Sequence, residues 1–556
     1  MKNARQYLRF AALAFVITFA LYLKTVGYEF VSVDDYTYVT SNPHMEAGLT
    51  AENVKWAFCN PDYAANWHPL AWLSMMGDVS LMRAIGNVPE KWDDPANRMC
   101  HFMHLHNAVL HALNAALLFL LMAIVLSRLN YPALSPVWPL AFALLWSLHP
   151  LRTEVGCWIS ERKELVSVFF MLLSLICYCW CEKALNFAAA LVFAALAMMA
   201  KPVAVTLPAV IVAWDWVILG KLRILRALPF AALSGFTCFM TMRAQTVAID
   251  GGHQMELIKR FVSVFSAPVI YLKQTFCPVD LSLYYGNPPV DWLLLGLGIA
   301  LVLIIAALCI LWLIRRLRNS SLFSSHSSLF TFHSSLDIIV FTIAWAYVGL
   351  IPMLGIVKVA GEEHSDRYTY WVGCGLAVGA VMLLGWAKSH EQTVRAKLRE
   401  LSESEKDEWP QLRKIALGVL ACCLVVLAVA ADRRICYWRN AETICRDAVA
   451  KSSSPDVVAA FSDLLIYKYK QNGLDEAEYW LRECFTRHKV PKVFLSLAKV
   501  LMMRPVERIP GIDSEPAYLE SEMLLKSIPE SDPGHEEAAK LLKTIEDYRK
   551  KMGDGK

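Results

Sequence analysis

The amino-acid sequence predicts an all-α protein: a polytopic membrane helical bundle of about eleven spans, followed by a C-terminal helical domain. Three observations carry this. Of 556 residues, 56% are hydrophobic and only 19% charged, with a mean hydropathy of +0.39, too apolar for a string of soluble domains. The apolar residues recur in runs long enough to cross a bilayer, not in short core segments. Beyond residue 431 that pattern gives way to helical periodicity mixed with charge. A disordered, collagen-like or disulfide-stapled chain is excluded, and a formal charge of +4 leaves no nucleic-acid footprint. Fifteen cysteines, several inside apolar runs (Cys177, Cys179, Cys181, Cys309, Cys422, Cys423) and none in a CxxC pair, read as packing residues, not a zinc or redox framework.

The first run, 8–26, begins among Lys2, Arg5 and Arg9, which favours a cytoplasmic N-terminus under the positive-inside rule. A cleaved signal peptide is the alternative, but no small-x-small cleavage site follows and many more spans do. Further spans are read at 104–126, 132–148, 165–181, 186–200, 203–219, 228–242, 292–314, 336–357, 368–386 and 415–431. The stretch 261–277 is interrupted by Pro268 and carries Lys273. Reading it as re-entrant or interfacial keeps Arg315, Arg316 and Arg318 inside, together with Arg128, Lys183, Lys221, Arg223, Arg226 and the charged linker 388–414. An odd count puts the C-terminus opposite the N-terminus, in the periplasm if this is a bacterial inner-membrane protein.

Three segments do more than join spans. Residues 27–103 form a long outside loop rich in Asp, Asn, Pro and Trp, the kind of connection that usually carries function. Residues 319–335 are a Ser/Phe/His-biased internal repeat that reads as a cytoplasmic spacer. In the tail, 432–556, the run YKYKQNGLDEAEYWLREC has small residues at Gly473 and Ala477 and aromatics at Tyr467, Tyr469 and Tyr479. It resembles one tetratricopeptide (TPR) repeat, in which small residues let two antiparallel helices approach closely; a generic helical hairpin is the alternative.

Polar side chains near a bilayer are costly and therefore informative. The long loop opens with FVSVDDYTYVTSNP, placing Asp34 and Asp35 just outside the membrane, and NWHPLAWLS adds His68, with Asp78 beyond it. If the segment is extended, adjacent carboxylates point oppositely and only one faces a site. On the second span His104, Asn107, His111 and Asn114 fall within roughly 80° of arc, a single stripe that must face protein or water. Hydrogen bonding between helices and a zinc site with His101 and His106 both explain it. HPLRTEVGCWISERKE (149–164) packs His149, Arg152, Glu154, Glu161, Arg162, Lys163 and Glu164 into one outside connection. Lys201 follows the fifth span, and GEEHSDRYTY supplies Glu362, Glu363, Asp366 and Arg367 before the tenth. Cations on the outer face pair with carboxylates, hold an anion, or merely snorkel.

Taken in order, VDDYTYVTSNPHMEAGLTAENVKWAF, NWHPLAWLS, HPLRTEVGCWISERKEL, AKPVAVTLPAV and SDRYTY, followed by TPR-like helices, resemble the transmembrane and TPR repeat-containing (TMTC) proteins of the GT-C class of membrane glycosyltransferases. The resemblance covers nearly the whole chain. It implies a GT-C-like transmembrane domain over 1–431 and a periplasmic TPR-like domain over 432–556. It also implies transfer of a sugar, mannose in the eukaryotic relatives, from a polyprenyl phosphate carrier to a protein hydroxyl or glycan acceptor, with membrane lipid as surroundings and no nucleic-acid partner.

The residue chemistry suits that role. Removing a proton from a hydroxyl needs a carboxylate, with Asp35 ranked first and Asp34 second. The leaving phosphate gains charge, which Arg367, Arg162, Lys163 or Lys201 can stabilise; Arg367 leads because of its motif. His68, His104, Asn107, His111, His149, Glu154 and Asp366 are expected to line the site. No cofactor is required, and a divalent cation beside Asp34 and Asp35 is left open. The competing readings are a transporter or flippase, disfavoured because the polar groups gather at one face without an inverted repeat, and a membrane-anchored TPR scaffold without catalysis.

Overall fold

The computed structural model describes residues 4–553, apart from 32–33, 62, 87–97, 132–133, 250–256, 286–290, 320–333, 355–363, 402–408, 453 and 504–514. Most of the Ser/Phe/His spacer, and Glu362 and Glu363, lie outside the described residues. Among the described residues every regular element is helical.

Among the described residues seven helical stretches are long and apolar enough to cross a membrane: Ala4–Gly27, Arg98–Arg128, Ile224–Gln245, Trp292–Arg318, Ser335–Met353, Asp366–Gln392 and Ile415–Tyr437. Each matches a run read from the sequence. The runs at 132–148, 165–181, 186–200 and 203–219 fold as shorter pieces: Val137–Ser147, Arg162–Tyr178, Ala184–Ala200 and the three helical segments between Pro202 and Ile218. Proline explains part of the shortening. Pro136 precedes the first of these helices and Pro202 and Pro208 break the last, because proline donates no backbone hydrogen bond. Residues 257–276 do not fold back: Leu257–Phe276 is one helix through Pro268, packed along Trp292–Asn319.

The Arg98–Arg128 helix is the axis of the bundle. Ala4–Tyr22 lies along it, Arg162–Tyr178 packs on its other side and pairs with Ala184–Ala200, and Ser335–Leu350 pairs with Thr369–Leu401. Leu118, Phe119, Met122, Leu172 and Trp371 form part of the shared core. On Trp292–Asn319 and Trp409–Tyr437, by contrast, Leu303, Ile304, Val425 and Val426 point outward, an apolar exposure that belongs against lipid, not water.

The long loop is folded. Asn42 and Thr50 cap the helices Pro43–Glu46 and Ala51–Cys59, satisfying orphan N–H groups at their starts. With Pro69–Ala84 these helices enclose Met45, Trp72, Met75 and Met76. Residues 34–35 are not extended; they form a turn into the helical stretch Tyr36–Thr40.

The tail forms six helices, Ala441–Lys451, Pro455–Tyr469, Leu474–Arg487, Pro491–Met503, Glu515–Lys526 and His535–Gly553, each packed on the next. Gly473 sits against the Leu465 carbonyl and Ala477 is fully buried, so the small residues do allow close approach. The tail root docks on the bundle: Lys24 pairs with Asp432 at 2.5 Å, the Glu29 N–H donates to the Arg439 carbonyl at 2.9 Å, and Trp438 packs 5.7 Å from Trp158.

Candidate active site

Every residue from 149 to 164 is buried, although six of them are charged. Three segments remote in sequence bury it. The long loop covers one side, the Ser365–Thr369 turn another, and the tail root a third. Charges removed from water must be paired, and these are.

Glu161 is the hub. Its carboxylate meets Lys163 at 3.2 Å, Lys201 at 3.0 Å and Arg367 Nε at 3.7 Å. Burial pushes this carboxyl up, but the three cations outweigh burial and hold it well below the usual carboxylate range. Lys163 reaches Asp34 at 3.4 Å and lies 4.6 Å from the centre of the Tyr38 ring. Lys201 also binds Glu164 at 2.8 Å, yet burial still pushes the Glu164 carboxyl up. Glu154 receives Arg367 Nη1 at 2.6 Å, the Arg367 backbone N–H at 3.0 Å and the Ser365 hydroxyl at 3.0 Å. Asp34, Lys163, Lys201, Glu161, Glu164, Arg367 and Glu154 thus form one continuous network. Its four carboxylates face three cations, and the partly exposed Asp34 keeps contact with water.

The two neighbouring aspartates differ sharply. Asp34 is 41% exposed. Asp35 is fully buried. Asp35 Oδ1 accepts from the backbone N–H and hydroxyl of Ser160, and Oδ2 accepts from the Val31 N–H. Burial pushes its carboxyl up to about 7 despite those donors. With both oxygens engaged by N–H and O–H donors and Asp34 facing an ammonium, the pair does not fit a divalent cation. Among the described residues, no group of three His, Cys, Asp or Glu side chains forms a metal cradle.

Other expected site residues have different placements. Arg162 is wholly buried and not presented to a ligand. Its Nε donates to Asn107 Oδ1, Nη1 to Asp78 Oδ2 at 2.9 Å, and Nη2 to the Met103 carbonyl at 2.7 Å. The polar stripe bonds neighbouring protein: His104 meets the Glu29 carbonyl, Asn107 the Trp158 carbonyl, His111 the Ser147 carbonyl and Tyr370 hydroxyl, and Asn114 the Leu165 carbonyl. These groups position the buried connection instead of facing an opening. His149 also serves locally, accepting from the Leu151 N–H and donating to the Thr275 carbonyl. Burial, reinforced by Arg152, holds its pKa down at about 4, so the ring is neutral.

His68 does border the network. It is buried, neither ring nitrogen has a hydrogen-bond partner among the described residues, and burial together with Lys163 and Lys201 keeps its pKa well below the usual value. Asp366 accepts from the Tyr285 hydroxyl at 2.5 Å, and Tyr285 stacks on His364 at 4.1 Å. Tyr285, Ser160 and Trp158 were not singled out from sequence. Trp158 had a legible signal, an aromatic inside a charged connection; Tyr285 had none, since its partner is 81 residues away.

Searches of this chain against protein-family models, curated proteins and solved structures match nothing.

Proposed function

We propose that the protein is an integral-membrane glycosyltransferase of the GT-C type, which moves a sugar from a polyprenyl phosphate carrier to a hydroxyl acceptor, protein Ser/Thr or a glycan. The observation that supports this reading best is the single ion-pair network joining Asp34, the buried 149–164 connection, Lys201 and Arg367. It gathers at one place the carboxylate and cations that such a transfer needs, from the motifs that resemble TMTC proteins.

In this reading the acceptor oxygen attacks the anomeric carbon, the bond from that carbon to the phosphate oxygen breaks, and the acceptor proton passes to a carboxylate. Exposure moves Asp34 ahead of Asp35 as that base, because geometry precedes pKa and the oxygens of Asp35 are already engaged. Asp35 is then a positioning residue that ties the long loop to Ser160. Arg367, Lys163 and Lys201 take up the charge that develops on the departing phosphate, exchanging part of their carboxylate contacts for phosphate oxygens. No step runs through a metal.

The proposal extends to architecture. It has eleven spans, a TPR-like tail, a cytoplasmic N-terminus and a periplasmic site and tail in a bacterial inner membrane. The direct test is transfer of labelled sugar from a polyprenyl phosphate donor by the purified full-length protein. Asp34→Asn should abolish transfer while donor binding persists; no transfer by the wild-type protein would instead support a scaffold or transporter, and unimpaired transfer in Asp34→Asn would place the base elsewhere.

A further inference from the structure

At the end of the bundle opposite the ion-pair network lies a cavity of about 140 Å³. The axial helix fixes the separation. Asn107, near its start, touches the buried connection, and Arg128 is its last residue; 21 residues at 1.5 Å each span about 32 Å. Arg128, Lys221 and Arg223 line this cavity, with Glu182, Asp215 and Tyr178.

The charges are unequally used. Arg128 is fixed, donating to the Cys179 carbonyl and to Glu182 at 2.9 Å, with its guanidinium 4.5 Å from the Trp180 ring centre. Asp215 Oδ2 accepts from Tyr178 at 2.7 Å, and Arg223 and Arg226 are its cationic neighbours. Arg226 reaches Cys181 on the same wall. Three cations therefore line the cavity with two carboxylates, and Arg226 lies beside it. Two of the cations have unused capacity: Arg223 Nη1 is buried without a hydrogen-bond partner, and exposed Lys221 has no side-chain partner among the described residues. A buried guanidinium N–H without an acceptor is costly, and a phosphate oxygen relieves that cost.

The surroundings identify the source of the phosphate. Leu185 and Leu225 are each 80% exposed, Leu222 is 53% exposed and Trp180 39%, an apolar and aromatic rim at the ends of apolar helices. Such a rim suits acyl chains, with the tryptophan at headgroup depth, and basic pockets between membrane helices suit anionic headgroups. We propose that this cavity binds the phosphate of an anionic phospholipid headgroup. The site is distinct from the ion-pair network and does not depend on glycosyl transfer.

The test uses the full-length protein in detergent, with thermal unfolding followed against three probes: short-chain phosphatidylglycerol, phosphatidylcholine with the same chains, and inorganic phosphate. Phosphatidylglycerol should raise the midpoint. Lys221→Gln and Arg223→Gln should each require about tenfold more of it for the same rise, the usual consequence of losing one charge-assisted contact. Lys221 is exposed, so its variant keeps the fold even if the Arg223 variant does not. Equal effects of the two lipids, an unchanged response in the Lys221 variant, or inorganic phosphate acting as strongly as phosphatidylglycerol would each overturn the lipid assignment; the last would leave a site for a free anion.

Discussion

Asp34 and Asp35 are adjacent and chemically identical, yet their surroundings assign them different work. Asp35→Asn replaces one acceptor oxygen with an NH2 group that faces either the Val31 N–H or the Ser160 donors, leaving a buried donor without an acceptor. We expect it to lower stability by about 1–3 kcal/mol, read from detergent thermal unfolding, whereas Asp34→Asn should leave the midpoint unchanged and remove transfer. The pH dependence separates them further. The Asp35 carboxyl is raised from its ordinary 3.8 to about 7 by burial, so the folded protein holds this proton more tightly than the unfolded chain. Its contribution to stability is therefore complete below about pH 4 and is lost as pH rises through 7. Asp35→Asn should remove that slope between pH 4 and 7 and Asp34→Asn should keep it; an unchanged slope in the Asp35 variant would show that this carboxyl is not the titrating group. Arg367→Lys keeps the charge but not the planar fork that bonds Glu154 through Nη1 and reaches Glu161 through Nε. Transfer should fall at least about tenfold, and wild-type rates would exclude a two-pronged phosphate contact.

At the scale of elements, the tail is tied directly to the site. The Trp438 ring lies 5.7 Å from Trp158, whose carbonyl accepts from Asn107 and whose ring lies 5.8 Å from the Arg367 guanidinium and 6.0 Å from the Lys163 ammonium. A separable acceptor-binding module would leave donor hydrolysis intact when truncated after Ala431. The packing argues otherwise: Trp438→Ala should depress transfer and donor hydrolysis together, with cavity formation costing about 3–5 kcal/mol, and selective loss of acceptor capture would contradict the coupling. The sequence was informative where one element sufficed. Periodicity located the polar stripe on Arg98–Arg128, and the TPR-like spacing located the small pair Gly473 and Ala477, because both depend on positions within about three turns. It was silent where the outcome depended on what covers an element. The 149–164 segment reads as an outside connection whose cations pair with carboxylates, hold an anion or snorkel; that the loop, the tail root and the Ser365–Thr369 turn together bury it depends on segments remote in sequence. The same holds for Asp35, whose Oδ1 is engaged by Ser160, 125 residues away.

Over the whole molecule, the question is how a chain with seven membrane-length helical stretches among its described residues supports an eleven-span reading. The four shorter pieces between residues 137 and 218 have at most 17 residues each, about 25 Å of helix against a hydrocarbon core of about 30 Å. Side-chain contacts trace the path nevertheless. Arg128 meets Cys179 and Glu182 at one end, Glu161 meets Lys201 at the other, and Lys221 and Arg223 return to the cavity shared with Arg128. The chain therefore passes from end to end four times between Arg128 and Lys221. Seven and eleven differ by an even number, so fusions at the two termini cannot distinguish them, and reporters after Lys414 and Lys451 should lie on opposite sides under either count. The decisive pair is a topology reporter fused after Lys183 and one fused after Lys201. With eleven spans the first is cytoplasmic and the second periplasmic; with seven, both remain on the cytoplasmic side. In the eleven-span reading the salt bridge between Glu161 and Lys201 lies at the periplasmic end with Asp34, and finding both reporters on one side would overturn the eleven-span arrangement and the periplasmic site together.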